Sequence, residues 1–195
     1  EKAPGVQSNN NKEPHKHSAF ARPVLAAEEA QPKIANTQVL RVYRLAMHIP
    51  YSTFSRYYFD SKIEKVKTFW ADTEAFLNEI YLRDLGVRFE VVNDERLIIK
   101  DATKETFAST RNASYVKDNS TIVINNLIGE NSYDVGISLV YTSSQKSHIR
   151  GLAYLEGVYQ PNTKADAVAV LTKEVIAHEI GHLFGGRHTF SSHKG

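Results

Sequence analysis

Cysteine is absent from the 195-residue chain. That excludes disulfide cross-links, thiolate metal sites and a cysteine nucleophile, and it does not discriminate between compartments. An excess of charge of one sign is lacking too. Against 22 Asp and Glu there are 24 Lys and Arg, a formal net charge of +2, and the basic residues are scattered rather than gathered in a stripe. A nucleic-acid partner needs a clustered basic footprint and is not expected. No apolar run is long enough to cross a bilayer, so no membrane span is expected. Methionine occurs once, as Met47. The chain opens at Glu1 with neither an initiator Met nor a signal-peptide pattern, as a shortened or processed form would.

Proline is scarce and unevenly placed. Pro4, Pro14, Pro23 and Pro32 punctuate the opening stretch, and only Pro50 and Pro161 follow it. Gln7 to Lys12 is polar and Asn-rich, and the apolar residues nearby keep no sustained period. Residues 1–36 are therefore expected to be a flexible lead-in or the end of a propeptide. The remainder, 37–195, is expected to fold as one domain. The chain is 42% hydrophobic and 24% charged, the balance of an ordinary globular protein with one core.

Within that domain the pattern predicts a mixed α/β arrangement. A mostly buried strand is expected over Thr37 to His48, with Val39, Val42, Tyr43, Leu45 and Met47. A long helix follows, opened by a capping box at Ser61-Lys-Ile-Glu64 and stopped by Gly86. Ile63, Val66, Phe69, Trp70, Phe76, Leu77 and Ile80 keep its helical period, and this aromatic stripe reads as core packing rather than a cofactor box. Short strands are expected at Val87 to Val92, Leu97 to Ile99, Thr121 to Ile124, Gly136 to Tyr141 and Leu152 to Tyr159. No internal repeat is evident.

The chemistry lies in His178-Glu-Ile-Gly-His182-Leu-Phe-Gly185-Gly-Arg-His188. Residues four apart on a helix are neighbours on one face, so His178 and His182 can share one zinc ion, at Zn–N distances near ~2.1 Å. Glu179 is turned by about 100° from His178, badly placed as a ligand and well placed to hold a water on the metal. His188 lies too far along to reach the metal on a continuing helix, so the chain must break and turn back. Gly185 supplies a residue that tolerates positive φ at a helix end, and Gly186 adds freedom. Three histidines leave one zinc position open for water, as in catalytic sites. Val175, Ile176, Ile180, Leu183 and Phe184 supply an apolar face that buries this helix. The competing reading is an amphipathic helix whose histidines are spaced this way by accident.

The elongated motif resembles that of the metzincin zinc endopeptidases. Arg150-Gly-Leu-Ala-Tyr-Leu-Glu-Gly-Val-Tyr159 is similar to the reprolysin (adamalysin) branch. Arg41-Val-Tyr-Arg-Leu-Ala46, Tyr133-Asp-Val-Gly136 and Thr189-Phe190 resemble secreted bacterial members. The resemblance spans Arg41 to Phe190. It implies a zincin-like α/β fold with a mixed, mostly parallel twisted sheet, a long backing helix and an active-site helix. It implies a Zn2+ cofactor, an extracellular location and protein or peptide substrates. It also implies a sheet-edge strand, with Gly151, Leu152, Ala153 and Tyr154, that pairs with extended substrate. On this reading residues 37–195 are the N-terminal subdomain of a catalytic domain, hydrolysing peptide bonds with Glu179 as general base. Two features depart from the pattern. Animal reprolysins carry cysteines around the edge strand, and this chain has none. Metzincins also have a methionine-containing turn beneath the zinc, after the third histidine, whereas Met47 lies in the first strand. The expectation is therefore of a fragment lacking the C-terminal subdomain. The alternative function is a non-catalytic zinc-binding or protein-interaction module of degenerate peptidase fold.

Other candidates carry less. His15 and His17 could clip a metal or plug the site, but read as part of a solvated tail, and His193 as a frayed end. His48 and His148 have no partner at ligand spacing. Asn112-Ala-Ser and Asn119-Ser-Thr fit a glycosylation pattern that is common by chance. Tyr141, Tyr154 and Tyr159 either line the cleft or pack on the strands, and packing is favoured.

Overall fold

The computed structural model describes residues 39–108, 110, 112–141 and 150–188. Among these the elements run β1 (Arg41–His48), α1 (Tyr51–Phe54), α2 (Ile63–Leu85), β2 (Val87–Val91), α3 (Ala113–Ile128), β3 (Val135–Val140), β4 (Gly151–Ala153), β5 (Ala167–Val170) and α4 (Lys173–Leu183). The strands form one sheet in the order β2-β1-β3-β5-β4. Neighbouring strands run parallel except β4, which lies antiparallel to β5 at the edge. This is the mixed, mostly parallel sheet with a long helix that the sequence led us to expect. The expectations attached to residues 1–36, to His148 and His193, and to Thr189-Phe190 lie outside the described residues. No helix among the described residues is long and apolar enough to cross a membrane.

Strand alternation assigns the layers. On one face Tyr43 meets Phe184, just past α4, at a ring-centroid distance of 4.9 Å. Ile137, Leu139, Ala167 and Ala169 share the main core with Ile176 and Ile180 of α4 and Leu77 of α2. On the other face His48 and Ser138 meet Ser120 of α3, and Val140, Val168 and Leu152 pack with Val116. So α2 and α4 cover one face and α3 covers the other. Parallel strands covered on both sides read as continuous apolar runs, and every residue of β3 is buried.

Four sequence expectations require correction. Thr121 to Ile124 is not a strand but part of α3. Its β-branched run favours a strand by propensity, yet Val116, Ser120, Thr121, Ile124 and Ile128 bury one helical stripe while Ile122 stays 59% exposed. The side chain of Asn112 caps this helix by accepting the Tyr115 N–H. Ser61 does not open α2. It has φ +54°, whereas an N-cap needs extended backbone; Lys62 takes that position, with no side-chain cap bond. Leu97 to Ile99 makes only a single parallel bridge, Ile98 to Ile49, after a 3-10 turn at Glu95–Leu97. The strand expected over Leu152 to Tyr159 ends at Ala153, because Glu156 takes φ +63° and Gly157–Tyr159 forms a 3-10 turn. The short strand β5, built from small residues after Asp166, has too weak a pattern to be read from sequence.

Two of the segments that carried the family resemblance touch one another. Arg44 of β1 makes a forked contact with the Asp134 carboxylate, its Nε and Nη2 donating at 3.1 and 2.8 Å. The Arg44 backbone N–H donates to the same group. Beside them Gly136 is packed so closely that a Cβ would lie 2.8 Å from that of Ala165.

His48 has no partner at ligand spacing in the sequence. It is wholly buried between the sheet and α3, with Nδ1 3.2 Å from Ser138 Oγ and Nε2 3.3 Å from Thr106 Oγ1. Burial lowers its pKa from 6.5 to about 3. Between those values the unfolded chain binds a proton that the folded chain does not. His48 therefore contributes full stability above pH 6.5, and the contribution is lost as pH falls towards 3. The expected slope is about 1.4 kcal/mol per pH unit across that window. Urea unfolding of the chelator-treated protein at several pH values checks this. His48→Asn, which cannot titrate, is expected to show a shallower acid slope than wild type. An unchanged slope would remove His48 from the account.

Candidate metal centre

Helix α4 places two kinds of side chain on two sides of one cylinder. Ile176, Ile180 and Leu183 are fully buried against the sheet. Each contributes about 1.5–3 kcal/mol of transfer free energy, and together they fix the helix's rotation about its axis. Tyr81 of α2 holds the same setting by donating its hydroxyl to the Ala177 carbonyl at 2.7 Å. That rotation turns Glu179 inward, to 4% exposure, and leaves His178 exposed and His182 half-buried.

The chain leaves α4 through a glycine turn of Schellman type. Gly185 has φ +94° and donates its N–H to the His182 carbonyl, and Gly186 donates to the Gly181 carbonyl at 2.8 Å. A Cβ on Gly186 would stand 3.0 Å from that same Gly181 oxygen. Close approach therefore favours glycine at the second position too, which its place in the sequence does not reveal. The turn brings His188 back over the helix. The Nε2 atoms of His178, His182 and His188 lie 2.9, 3.0 and 3.0 Å apart in pairs. The Nδ1 atom of His182 sits against the Gly186 carbonyl. In the neutral ring that nitrogen carries the proton, and Nε2 keeps its lone pair free.

Three ring nitrogens in a triangle cannot satisfy one another by hydrogen bonding, because each offers one proton or one lone pair along a single direction. A cation at their meeting point satisfies all three. Tetrahedral ligands held at about 2.1 Å from zinc are about 3.4 Å apart, close to the spacing these nitrogens already have. Although His178 is exposed as a whole, partial desolvation of its ring lowers its pKa, and the neighbouring His182 and His188 rings lower it further. That favours the neutral form in which imidazole binds metal. These three residues fit a zinc ion.

Glu179 lies beside the triad without joining it. Burial pushes its carboxyl up to about 7. No hydrogen-bond donor to it is present among the described residues. The cleft above has His178, Glu179, His182 and His188 on its floor and Gly151, Leu152 and Ala153 along its rim, with Arg187 at one side. Beyond Glu179 a second hollow continues past Arg150, Glu174 and Val175. Arg187 and Glu174 were not singled out from sequence, and no spacing rule points to them.

Among the described residues the rim strand β4 has no pairing partner on its outer side. Val170 N–H donates to the Arg150 carbonyl, and Tyr154 N–H donates to the Asp166 carbonyl. In an antiparallel ladder, residues two apart share this inward role, so Arg150, Leu152 and Tyr154 commit their backbone groups to β5. The backbone groups of Gly151 and Ala153 point the other way, out of the sheet edge. Of the expected rim residues, then, Gly151 and Ala153 have backbone to offer a partner. The Leu152 side chain packs on the α3 face, and the Tyr154 ring lies beneath the Lys117 ammonium at 5.7 Å. Tyr141 packs on Tyr57, and Tyr159 is 70% exposed. Neither lines the cleft.

Comparison with known families places the chain in one of them. The model of metallo-peptidase family M12B, reprolysin-like, matches residues 70–189, more than half of the chain. No curated protein matches. The matched span contains all three histidines, Glu179 and the rim strand, and the chain belongs to the reprolysin-like M12B zinc metallopeptidases.

Proposed function

We propose that the chain hydrolyses peptide bonds as an endopeptidase, with His178, His182 and His188 holding Zn2+ and Glu179 as general base. The observation that carries this reading is the position of Glu179. Among the described residues it is a buried carboxyl without a hydrogen-bond donor, next to three converging imidazoles and under a strand whose outer edge has no partner.

Bound zinc supplies a Lewis acid, which acidifies a water to a pKa of about 7 and polarises a carbonyl. The protein's own groups supply the rest. An extended peptide laid antiparallel along β4 exchanges hydrogen bonds with the N–H and C=O groups of Gly151 and Ala153, which fixes its main chain over the cleft floor. The Glu179 carboxylate takes a proton from the attacking water as the new C–O bond forms. It delivers that proton to the amide nitrogen as the C–N bond breaks, so the amine leaves neutral. Gly186 holds the His182 ring through its carbonyl, so the ligand tautomer needs no rearrangement.

Two substitutions separate the roles. Glu179→Gln is expected to keep one zinc per chain after exhaustive dialysis and to lose about 10²–10⁴-fold in peptide hydrolysis. His182→Ala is expected to lose the zinc itself. Wild-type turnover by Glu179→Gln would remove Glu179 as the base, and zinc retained undiminished by His182→Ala would remove the triad.

Gly186→Ala tests the carbonyl that orients His182. Its methyl would crowd the Gly181 oxygen and shift the carbonyl, and zinc affinity is expected to fall, by no more than the about 10–100-fold that removing a ligand-orienting group costs. Competition with a chelator of known affinity measures this, and an unchanged affinity would make the Gly186 contact incidental.

A further inference from the structure

Gly151 has no backbone reason to be glycine. Gly86, Gly129 and Gly185 take positive φ, but Gly151 is an ordinary strand residue of β4. What it lacks is room. A Cβ built on Gly151 would stand 2.4 Å from Glu179 Oε1 and 2.7 Å from both Cδ and Cγ. These separations are far inside van der Waals contact, and all three atoms belong to one side chain.

The surroundings leave that side chain as the part that must give way. β4 is held to β5 by its ladder, and α4 is anchored by Ile176, Ile180 and Leu183 at full burial. Glu179 has no hydrogen bond among the described residues to define where its carboxylate sits. Packing sets its direction, and its carboxylate occupies the space that a Cβ on Gly151 would need.

We infer that Gly151 is a positioning residue for Glu179: the missing side chain forms the notch that seats the carboxylate beside the metal centre. The inference rests on the assignment of Glu179 as the base. It gives Gly151 two separate duties. Its backbone faces the open edge of the sheet, and its empty side faces α4. A methyl group there points at Glu179, away from a peptide lying along the edge. The expected result is a protein that binds substrate normally with its base misplaced.

The test is a double-mutant cycle with a readout independent of activity. In chelator-treated protein, Gly151→Ala is expected to lower the urea midpoint of unfolding. In a Glu179→Ala background the same change is expected to leave the midpoint unaltered or to raise it, because the clash is gone and alanine restricts the unfolded chain. An equal drop in both backgrounds would overturn the inference, since Gly151 would then serve only its own strand. If Gly151→Ala alone fails to fold, recovery of folding in the double variant supports the notch, and failure of both rejects it. In the metal-loaded protein, Gly151→Ala is expected to lose tenfold or more in kcat, with KM within twofold of wild type. A rise in KM at constant kcat would place the effect on the substrate strand. Should Glu179→Gln prove fully active, the base assignment fails, while the unfolding cycle still reports whether the two residues are coupled.

Discussion

The burial of Ile176, Ile180 and Leu183 fixes the rotation of α4, and that rotation decides where each functional side chain points. With about 100° between successive residues, a helix that turns its apolar stripe to the sheet cannot choose independently where His178 and Glu179 go. The stripe carries Glu179 into the interior with it and leaves His178 and His182 facing the cleft. His178 and His182, the proposed ligands, and Glu179, the proposed base, are thus set apart by ordinary helix geometry, and the hydrophobic core supplies the torque. Tyr81 reinforces the setting from α2, through a hydroxyl bonded to the carbonyl one residue before His178.

What the sequence made legible was whatever depends on spacing along one element. The four-residue interval of His178 and His182 and the need for a break before His188 are both properties of a single helix and its end. So is the long apolar stripe of α2, which packs as core. What stayed hidden depends on contacts between elements. The Ser61 motif has the right letters for a capping box, but the preceding turn puts Ser61 in the left-handed region and moves the helix start to Lys62. Thr121 to Ile124 favours a strand locally, yet the sheet has use for a helix there, and one buried stripe outweighs propensity. Gly186 and Gly151 look like freely placed glycines until the atoms opposite them are known.

The two faces of the sheet are specialised differently. The α2 and α4 face is apolar, with aromatic rings in edge-to-face contact around Phe89, Tyr81 and Phe184. The α3 face holds polar groups at its centre, His48, Ser138 and Ser120, each bonded to the next. Such a buried polar chain is stabilising only while every member is satisfied, and protonation of His48 breaks that condition. The helix that carries His178 and His182 is on the apolar face, so the acid-sensitive part of the core and the histidine triad are separated by the thickness of the sheet.

The open edge of β4 has a consequence for colloidal behaviour. Unpaired strand backbone is a template for any extended chain, and a sheet edge that accepts a peptide also accepts another sheet. Among the described residues the exposed strand is Gly151–Ala153, and the turn at Glu156 bends the chain away three residues after it. Three residues span about 10 Å, enough to pin the backbone of a short peptide segment and too little for two folded sheets to zip together. The brevity of β4 thus favours capture of a peptide over self-assembly into fibres.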